Sequence, residues 1–214
     1  MADLPAPPAG AEPVRVGVLI SGRGSNMLAL SEHRRRDPAR PYRIELVASN
    51  RPEARGLVLA RRLGLPIWSK SHEGLERSAF DALVEAAFVE RGVELIVLAG
   101  YMRLLSPEFV ARWQGRILNV HPSLLPLYKG LDTHNRALLA GDEEAGCSVH
   151  VVTADVDDGP VIAQARVRIL PRDTAETLEA RVLEEEHKLY PRALAAYADA
   201  LRAGRLGLPA PPSA

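Results

Sequence analysis

Near the start of the chain stands the apolar run Val14-Arg-Val-Gly-Val-Leu-Ile20, and the turn Ser21-Gly-Arg-Gly-Ser-Asn26 follows it at once. A short apolar run that ends at a glycine turn is typical of a buried strand. The residues after the turn predict a helix from Ser25 to about Arg36. Strand, turn and helix in this order predict the first unit of a parallel α/β sheet.

The same alternation of strands and helices continues through the middle of the chain. Further strands are predicted at Arg43–Ala48, just after Pro66, at Glu94–Ala99 and at Arg116–Val120. Further helices are predicted at Pro52–Leu63, with Pro52 in the first turn, and from about Leu75 to Arg91. Strands that alternate with helices are joined by right-handed crossovers in a mainly parallel sheet, and ligands bind beyond the carboxyl ends of its strands.

The last third of the chain has a different pattern. Cys147–Thr153 and Pro160–Leu170 are rich in β-forming residues and are separated by a short acidic loop, so we expect an antiparallel extension of the sheet. A closing helix is predicted from Thr174 to about Ala203, because Thr174 and Thr177 offer N-cap oxygens and Gly204 ends it. Together, these predicted strands and helices indicate a Rossmann-like α/β fold with a mostly parallel sheet and helices on both faces.

The two ends of the chain differ from its body. Residues 1–13 and 207–214 are rich in proline and alanine, which leaves little to bury and predicts flexible tails. Neither a repeat nor an internal linker is visible between them. We therefore expect a single domain over residues 14–206.

The composition narrows the class of protein. Lysine plus arginine and aspartate plus glutamate number 27 each among 214 residues, so no positive excess favours nucleic acid or an anionic membrane. The chain is 47% hydrophobic and 25% charged, as globular proteins are. Its single cysteine, Cys147, excludes an intrachain disulfide and a cysteine-based zinc cluster. The first residues lack a signal-peptide pattern and the apolar run Val93–Met102 is too short to cross a bilayer, so we expect a cytoplasmic protein.

The glycine turn after the first strand is suited to an anion. Its glycines let backbone amides face outward at a helix N-terminus, where the helix dipole favours negative charge. A dinucleotide fingerprint would need a third glycine where Met27 stands, and an acid after the second strand where Ser49 and Asn50 stand. The turn therefore favours a single phosphate over a dinucleotide, and a plain tight turn with a Ser/Asn cap fits equally well.

Asn119 and His121 lie at the end of a predicted strand, where period-two alternation points both side chains to the same side. The acidic loop Thr153-Ala-Asp-Val-Asp-Asp-Gly-Pro160 ends in a turn that can aim a carboxylate at His121. A histidine beside a carboxylate is a common general acid, and an asparagine amide can donate to a developing oxyanion. The alternative is a structural histidine held by a backbone carbonyl, together with an acidic surface turn.

Other reactive side chains have weaker support in the sequence. His134 and His150 lie in loop and strand contexts without the spacing of metal ligands, so no metal site is expected. Cys147 is interpreted as a small buried hydrophobe and not as a nucleophile.

Five stretches form a recognisable set: Val18–Asn26, Leu98–Pro107, Ile117–Gly130, Gly146–Thr153 and Asp157–Ile162. Together they resemble the phosphoribosylglycinamide formyltransferases, a family of folate-dependent formyltransferases, over nearly the whole chain from Val14 to about Leu206. The Asn-x-His-Pro-Ser-Leu-Leu-Pro core is shared by the whole superfamily, including the related deformylase. The Ser-Gly-Arg-Gly-Ser-Asn turn and the short length favour the glycinamide enzyme.

The resemblance implies a set of site residues by position. The phosphate-binding turn falls on Gly24, Ser25 and Asn26, and the late-helix acid that grips the ribonucleotide falls on Glu186. The folate-contacting residues fall on Arg77, Met102, Arg103, Leu104, Leu105 and Asn119. The catalytic trio falls on Asn119, His121 and Asp157. Family members often have a small residue where Asp158 stands, and the register from Gly159-Pro160 favours Asp157 as the partner of His121.

The implied reaction belongs to purine biosynthesis. The formyl group of 10-formyltetrahydrofolate passes to the amine of 5′-phosphoribosylglycinamide by direct acyl transfer with His121 as general acid, giving formylglycinamide ribonucleotide and tetrahydrofolate. The folate is then a co-substrate, and no tightly bound cofactor or metal is implied. We expect small-molecule substrates, no nucleic-acid or membrane partner, and a monomer or a homodimer.

Three other functions fit parts of the pattern. Methionyl-tRNA formyltransferase shares the Ser-Leu-Leu-Pro core but adds a C-terminal domain with a basic face, which this neutral chain is not expected to have. Formyltetrahydrofolate deformylase shares the catalytic trio with water as the nucleophile, but it usually carries an N-terminal domain for which residues 1–13 leave no room. A non-catalytic nucleotide sensor is a third alternative, because a fold alone does not imply chemistry.

Overall fold

The computed structural model describes residues 12–37, 39 and 41–212, so most of the predicted N-terminal tail and the last two residues lie outside the described part. Within that part, the chain alternates strands and helices as expected. The strands are β1 (Val14–Ile20), β2 (Tyr42–Ser49), β3 (Ile67–Ser69), β4 (Leu95–Leu98), β5 (Ile117–His121), β6 (Glu144–Val151) and β7 (Val161–Arg168). The helices are α1 (Ser25–Arg36), α2 (Arg55–Arg62), α3 (Arg77–Glu90), α4 (Pro107–Arg112), α5 (Thr133–Ala140) and α6 (Ala175–Arg202).

The strands form one seven-stranded sheet in the order β3-β2-β1-β4-β5-β6-β7. The first five are parallel to one another, whereas β6 pairs antiparallel with β5 and β7 antiparallel with β6. This arrangement confirms the predicted α/β class and the antiparallel extension. It also brings the carboxyl ends of β1, β4 and β5 side by side at one edge of the sheet.

Two details of the helix prediction were wrong. Helix α2 begins at Arg55 and not at Pro52, because the Ala54 N–H bonds to the carbonyl of Arg51 at 3.1 Å in a separate turn, and Ala54 has a non-helical ψ of 124°. Helices α4 and α5 were not predicted. Both are short, with six and eight residues, so their apolar positions are too few to show a helical period.

Helices cover both faces of the sheet. On one face, α1, α2 and α6 pack on a core that includes Leu30 and Leu194, and on the other α3 and α4 enclose Phe88 and Trp113. Tyr190 of α6 is fully buried and donates from its hydroxyl to the carbonyls of β4 and β5. The closing helix is therefore attached directly to the two strands that carry the polar edge.

The start of α6 and the C-terminal residues after it are both held by hydrogen bonds. Thr174 caps α6, as the sequence predicted, and the structure adds a reciprocal capping box with Thr177. Within the predicted C-terminal tail, the carbonyl of Pro209 accepts hydrogen bonds from Arg116, with its Nε at 3.0 Å. The domain boundaries and the mobility of the tails stay predictions. No helix in the described part is long and apolar enough to span a membrane.

Candidate active site

His121, the last residue of β5, is paired with Asp157 from the loop between β6 and β7. Nδ1 of His121 lies 3.2 Å from Oδ2 of Asp157, and both side chains are largely buried. Asp158 instead points outward and forms an ion pair with Lys129. The structure thus puts Asp157, the acid preferred from the sequence, beside the histidine.

The loop that carries Asp157 depends on a glycine. A Cβ atom at Gly159 would lie 1.7 Å from the carbonyl oxygen of Val151, a backbone atom that cannot yield. Asp157 itself has a φ of 50°, in the left-handed region. Close packing at Gly159 and the unusual backbone at Asp157 together direct the carboxylate back toward β5.

Four polar groups surround the Asp157 carboxylate. It accepts a hydrogen bond from the Gly130 N–H at 3.0 Å. Three side chains also lie near it: His121, His150 with Nε2 at 3.5 Å, and Asn119 with Nδ2 at 3.4 Å. Burial raises the pKa of this carboxyl, but the hydrogen bond from His150, the charge of His121 and the Gly130 N–H outweigh it. The pKa of Asp157 is therefore lowered, which keeps the group anionic beside His121.

His150 is a site residue that the sequence analysis undervalued. It faces Asn119 directly across the β5–β6 pair, and Asn119 Nδ2 lies 3.2 Å from His150 Nε2. Nδ1 of His150 lies 3.1 Å from the carbonyl of Val151, which leaves Nε2 toward Asn119 and Asp157. Antiparallel pairing of β6 with β5 brings His150 opposite Asn119, but the sequence analysis paired Cys147–Thr153 only with Pro160–Leu170 and gave no sign of this second partner.

The second nitrogen of His121 has a partner as well. Nε2 lies 2.9 Å from the carbonyl oxygen of Tyr128, in the segment that follows β5. A carbonyl can only accept, and so can the Asp157 carboxylate on the other side of the ring. Both contacts are hydrogen bonds at once only when both ring nitrogens carry hydrogen, so the surroundings of His121 suit an imidazolium ion.

The glycine turn lies at the neighbouring strand end and is joined to the last helix. Gly24 has a φ of 77° and precedes Ser25, the first residue of α1. Asn26 donates from Nδ2 to Oε2 of Glu186 at 2.8 Å, and its own Oδ1 is buried without a hydrogen-bond partner among the described residues. The predicted phosphate-binding turn and the predicted substrate-binding acid therefore form one cluster.

Glu186 has an unusual environment for a carboxyl group. Burial raises its pKa to about 7, because the opposing hydrogen bond from Asn26 does not compensate and Glu179 adds negative charge nearby. The group therefore titrates near neutral pH, where it can change between a hydrogen-bond donor and an anion.

The segment after β4 lies beside the turn after β1. The Met102 N–H donates to Oγ of Ser21 at 2.8 Å, and Ser21 Oγ in turn donates to Oδ1 of Asn50 at 2.7 Å. The side chains of Met102 and Leu104 are 69% and 52% exposed although they are apolar. These hydrogen bonds join the residues that follow β1, β2 and β4. The exposed side chains of Met102 and Leu104 are suited to contact a flat hydrophobic ligand.

Two arginines are predicted to contact folate, one within this segment and one at the start of α3. Arg103 stacks over the Phe80 ring at 5.4 Å and donates to the carbonyl of Leu75, while Arg77 is the first residue of α3. Both lie close enough to the buried Asp81 to lower its pKa, although burial outweighs them and the pKa of Asp81 is raised. Leu105, which follows Leu104, packs against the core on this side of the sheet.

Burial determines the pKa direction of two other candidate groups, Cys147 and His134. Burial raises the pKa of the Cys147 thiol to about 12, which suits a structural residue and not a nucleophile. Burial also lowers the pKa of His134. In the part of the chain that is described, no three or more histidine, cysteine or acidic side chains are grouped to hold a metal ion.

Comparison with known proteins gives a consistent family. The profile described as Formyl transferase matches residues 14–194. Phosphoribosylglycinamide formyltransferase of Escherichia coli (strain K12) is 41% identical over 187 residues, which cover 87% of this chain and 88% of that relative. Trifunctional purine biosynthetic protein adenosine-3 of Gallus gallus is 44% identical over 196 residues, 91% of this chain. The chain spans only 19% of the length of that longer relative.

A solved structure shows the same likeness in three dimensions. Glycinamide ribonucleotide transformylase 1 from Symbiobacterium toebii is similar with a TM-score of 0.85 and 42% sequence identity, covering 90% of this chain and 93% of that chain. Fold and sequence therefore agree over almost the whole described part.

Proposed function

The chain belongs to the formyl transferase family, as its sequence predicted, and we propose that it transfers the formyl group of 10-formyltetrahydrofolate to the amine of 5′-phosphoribosylglycinamide. The pairing of His121 with Asp157, beside the Asn119 amide, carries this proposal. A buried histidine with an anionic partner and an adjacent amide donor is suited to acyl transfer, in which charge develops on a carbonyl oxygen.

The two substrates are assigned to opposite sides of this pair. The phosphate of the ribonucleotide is assigned to the N-terminus of α1, at Gly24, Ser25 and Asn26, where free N–H groups and the helix dipole favour an anion. Glu186 is assigned to the polar part of the same substrate because it bonds to Asn26. The pteridine ring system is assigned to the exposed apolar segment Met102–Leu105, with Arg77 and Arg103 for the anionic end of the folate.

The reaction proceeds by direct transfer. The amine nitrogen attacks the formyl carbon, the new C–N bond forms, and negative charge builds on the formyl oxygen, which Asn119 and His121 stabilise. The bond between the formyl carbon and N10 then breaks, the attacking amine loses one proton and N10 gains one. Holding both reactants in place removes the entropy of a bimolecular encounter, a contribution of about 7–11 kcal/mol to the barrier.

Proton delivery to N10 is assigned to His121, because an amine leaves more readily when it is protonated. Nε2 lies 2.9 Å from the Tyr128 carbonyl, so this hydrogen bond must give way before Nε2 can donate to a substrate. Asp157 remains on Nδ1 and keeps the ring oriented. General acid catalysis of this kind contributes a factor of roughly 10²–10⁴.

One assay with three alternative acceptors tests which molecule receives the formyl group. Purified protein is given 10-formyltetrahydrofolate with glycinamide ribonucleotide, with methionyl-tRNA, or with water alone, and tetrahydrofolate release is followed. We expect release to depend on glycinamide ribonucleotide. Turnover with either of the other two acceptors would assign the chain to the tRNA enzyme or the deformylase, and binding of the ribonucleotide without any turnover would make it a sensor.

A further inference from the structure

The segment of residues 128–131, which follows β5, contacts both members of the His121–Asp157 pair through its backbone. The Tyr128 carbonyl contacts His121, and the Gly130 N–H donates to Asp157 at 3.0 Å. Lys129 lies between these two residues and forms its ion pair with Asp158, the residue next to Asp157. One exposed charge pair thus joins the segment to the loop that holds the carboxylate.

The other side of the segment is anchored to α5 and to the residues after it. Arg136 donates to the carbonyl of Lys129 at 2.7 Å and stacks over the Tyr128 ring at 5.2 Å. The Tyr128 hydroxyl donates to Asp142 at 2.6 Å. The segment is therefore fixed to α5 independently of the active site, and Lys129 is its side-chain connection to the Asp157 loop.

The backbone on both sides of this connection is strained. Tyr128 has a φ of 54° and Asp157 a φ of 50°, and neither is glycine. Left-handed backbone at such residues persists only where surrounding contacts hold it. Releasing one contact is therefore expected to change the local geometry.

We propose that Lys129 and Asp158 are positioning residues whose ion pair keeps the Gly130 N–H on Asp157, and thereby keeps the Asp157 carboxylate directed at Nδ1 of His121. This inference concerns the site of the proposed function and depends on it for its catalytic consequence. Neither residue contacts a reacting atom. At Asp158 the chain also departs from the small residue that the resemblance led us to expect.

The effect is measurable because the hydrogen bond acts on one titrating group. The groups that face the Asp157 carboxylate are His121 and Asn119 on β5, His150 on β6 and the Gly130 N–H of the segment. The Gly130 hydrogen bond is one of the causes that lower the pKa of Asp157. Its loss should raise that pKa, since it stabilises only the charged form.

The decisive variants are Lys129→Ala and Asp158→Ala, with the pKa of Asp157 measured by carboxyl-carbon NMR in the full chain. If the pair acts as a connection, both variants raise the pKa of Asp157 by about half a unit, and the double variant raises it no further than either single one. If the two residues act only through their charges, Lys129→Ala raises the pKa but Asp158→Ala lowers it, because a neighbouring anion has been removed. Opposite shifts, or no shift in Asp158→Ala, would overturn the inference.

Turnover gives a second readout with a matched control. Glu144 and Arg166 form another exposed ion pair, between β6 and β7 at the end of the hairpin opposite the Asp157 loop. We expect kcat for formyl transfer to fall about threefold to fivefold in Lys129→Ala and Asp158→Ala, an effect within the free energy of one exposed ion pair, with KM values unchanged. Glu144→Ala and Arg166→Ala should leave kcat and KM unchanged, and all four variants should lower the melting temperature by at most a few degrees. An equal loss in the control pair would show a general effect of surface charge and contradict the inference.

The experiments distinguish a failure of the proposed function from a failure of the role assigned to the ion pair. The NMR titration requires no turnover, so an unmodified protein that lacks formyl transfer would overturn the proposed function while the shifts at Asp157 still decide the role of the ion pair. Normal transfer in the unmodified protein, with unchanged Asp157 titration in both variants, would overturn only the role of Lys129 and Asp158.

Discussion

Asn26 donates a hydrogen bond to Glu186 at 2.8 Å, although 160 residues separate the two in the chain. The first belongs to the turn after β1 and the second to the closing helix α6. The contact joins the N-terminus of α1 to a buried carboxyl group of α6. It also predicts how the protein responds to pH.

Replacing Glu186 by Gln should remove a pH dependence of stability. The carboxyl has an ordinary pKa of 4.5 and a folded-state pKa of about 7, so the folded protein holds this proton more tightly than the unfolded chain. Its contribution is complete below about pH 4.5 and is lost as the pH rises through about 7. At pH 8, Glu186→Gln should be more stable than the unmodified protein by up to about 3 kcal/mol, relative to their difference at pH 4.5. Melting temperatures of both proteins across this range test it, and parallel curves would contradict it.

His121→Ala and Asp157→Asn should each abolish most turnover. In the proposed mechanism, the first removes the proton donor, and the second removes the anion that lies 3.2 Å from Nδ1 and orients the ring. We expect kcat to fall by roughly 10²–10⁴ in each, the range of general acid catalysis, while both substrates still bind. Steady-state kinetics and calorimetric titration provide the measurements. Near-normal kcat in either variant would remove that residue from the mechanism.

His150→Leu, which removes the ring nitrogen that faces Asp157, should have a smaller effect than these two variants. Its hydrogen bond is the largest of the causes that lower the pKa of Asp157, so its loss should raise that pKa and move the acidic limb of the pH–kcat profile to higher pH. The loss of kcat, up to about tenfold for one hydrogen bond of about 1.4 kcal/mol, is expected on that acidic limb, where Asp157 becomes protonated. A profile with an unshifted acidic limb would show that His150 does not support the carboxylate.

Gly159→Ala tests the packing that positions the Asp157 loop. The added methyl group would overlap the Val151 carbonyl oxygen, at 1.7 Å, so the loop must move. We expect a loss of stability of about 1–3 kcal/mol, typical of overpacking, together with reduced kcat as Asp157 leaves His121. Thermal unfolding and kinetics on the same preparation separate the two effects. An active variant with an unchanged melting temperature would show that the loop accommodates the methyl group.

Much of the site could be inferred from the sequence because it lies in short local motifs. Asn119 and His121 share one strand, so alternation alone points them to the same side. Helix α2 was predicted to begin too early because Pro52 is suited both to the first turn of a helix and to a loop before one. Only the hydrogen bond from the Ala54 N–H to the Arg51 carbonyl distinguishes the two. His150 was undervalued because its neighbours along the chain carry no sign of the strand that faces it.

Local sequence patterns were enough to predict the alternation of strands and helices, the glycine turn, and the common orientation of Asn119 and His121 on β5, since periodicity and turn chemistry act within a few residues. The folded chain was needed to show that His150 faces Asn119, that Glu186 bonds to Asn26, and that Tyr128 contacts the second nitrogen of His121. Such contacts join distant parts of the chain and depend on strand register and on how helices pack on the sheet. These are properties of the whole folded chain, which no local stretch encodes.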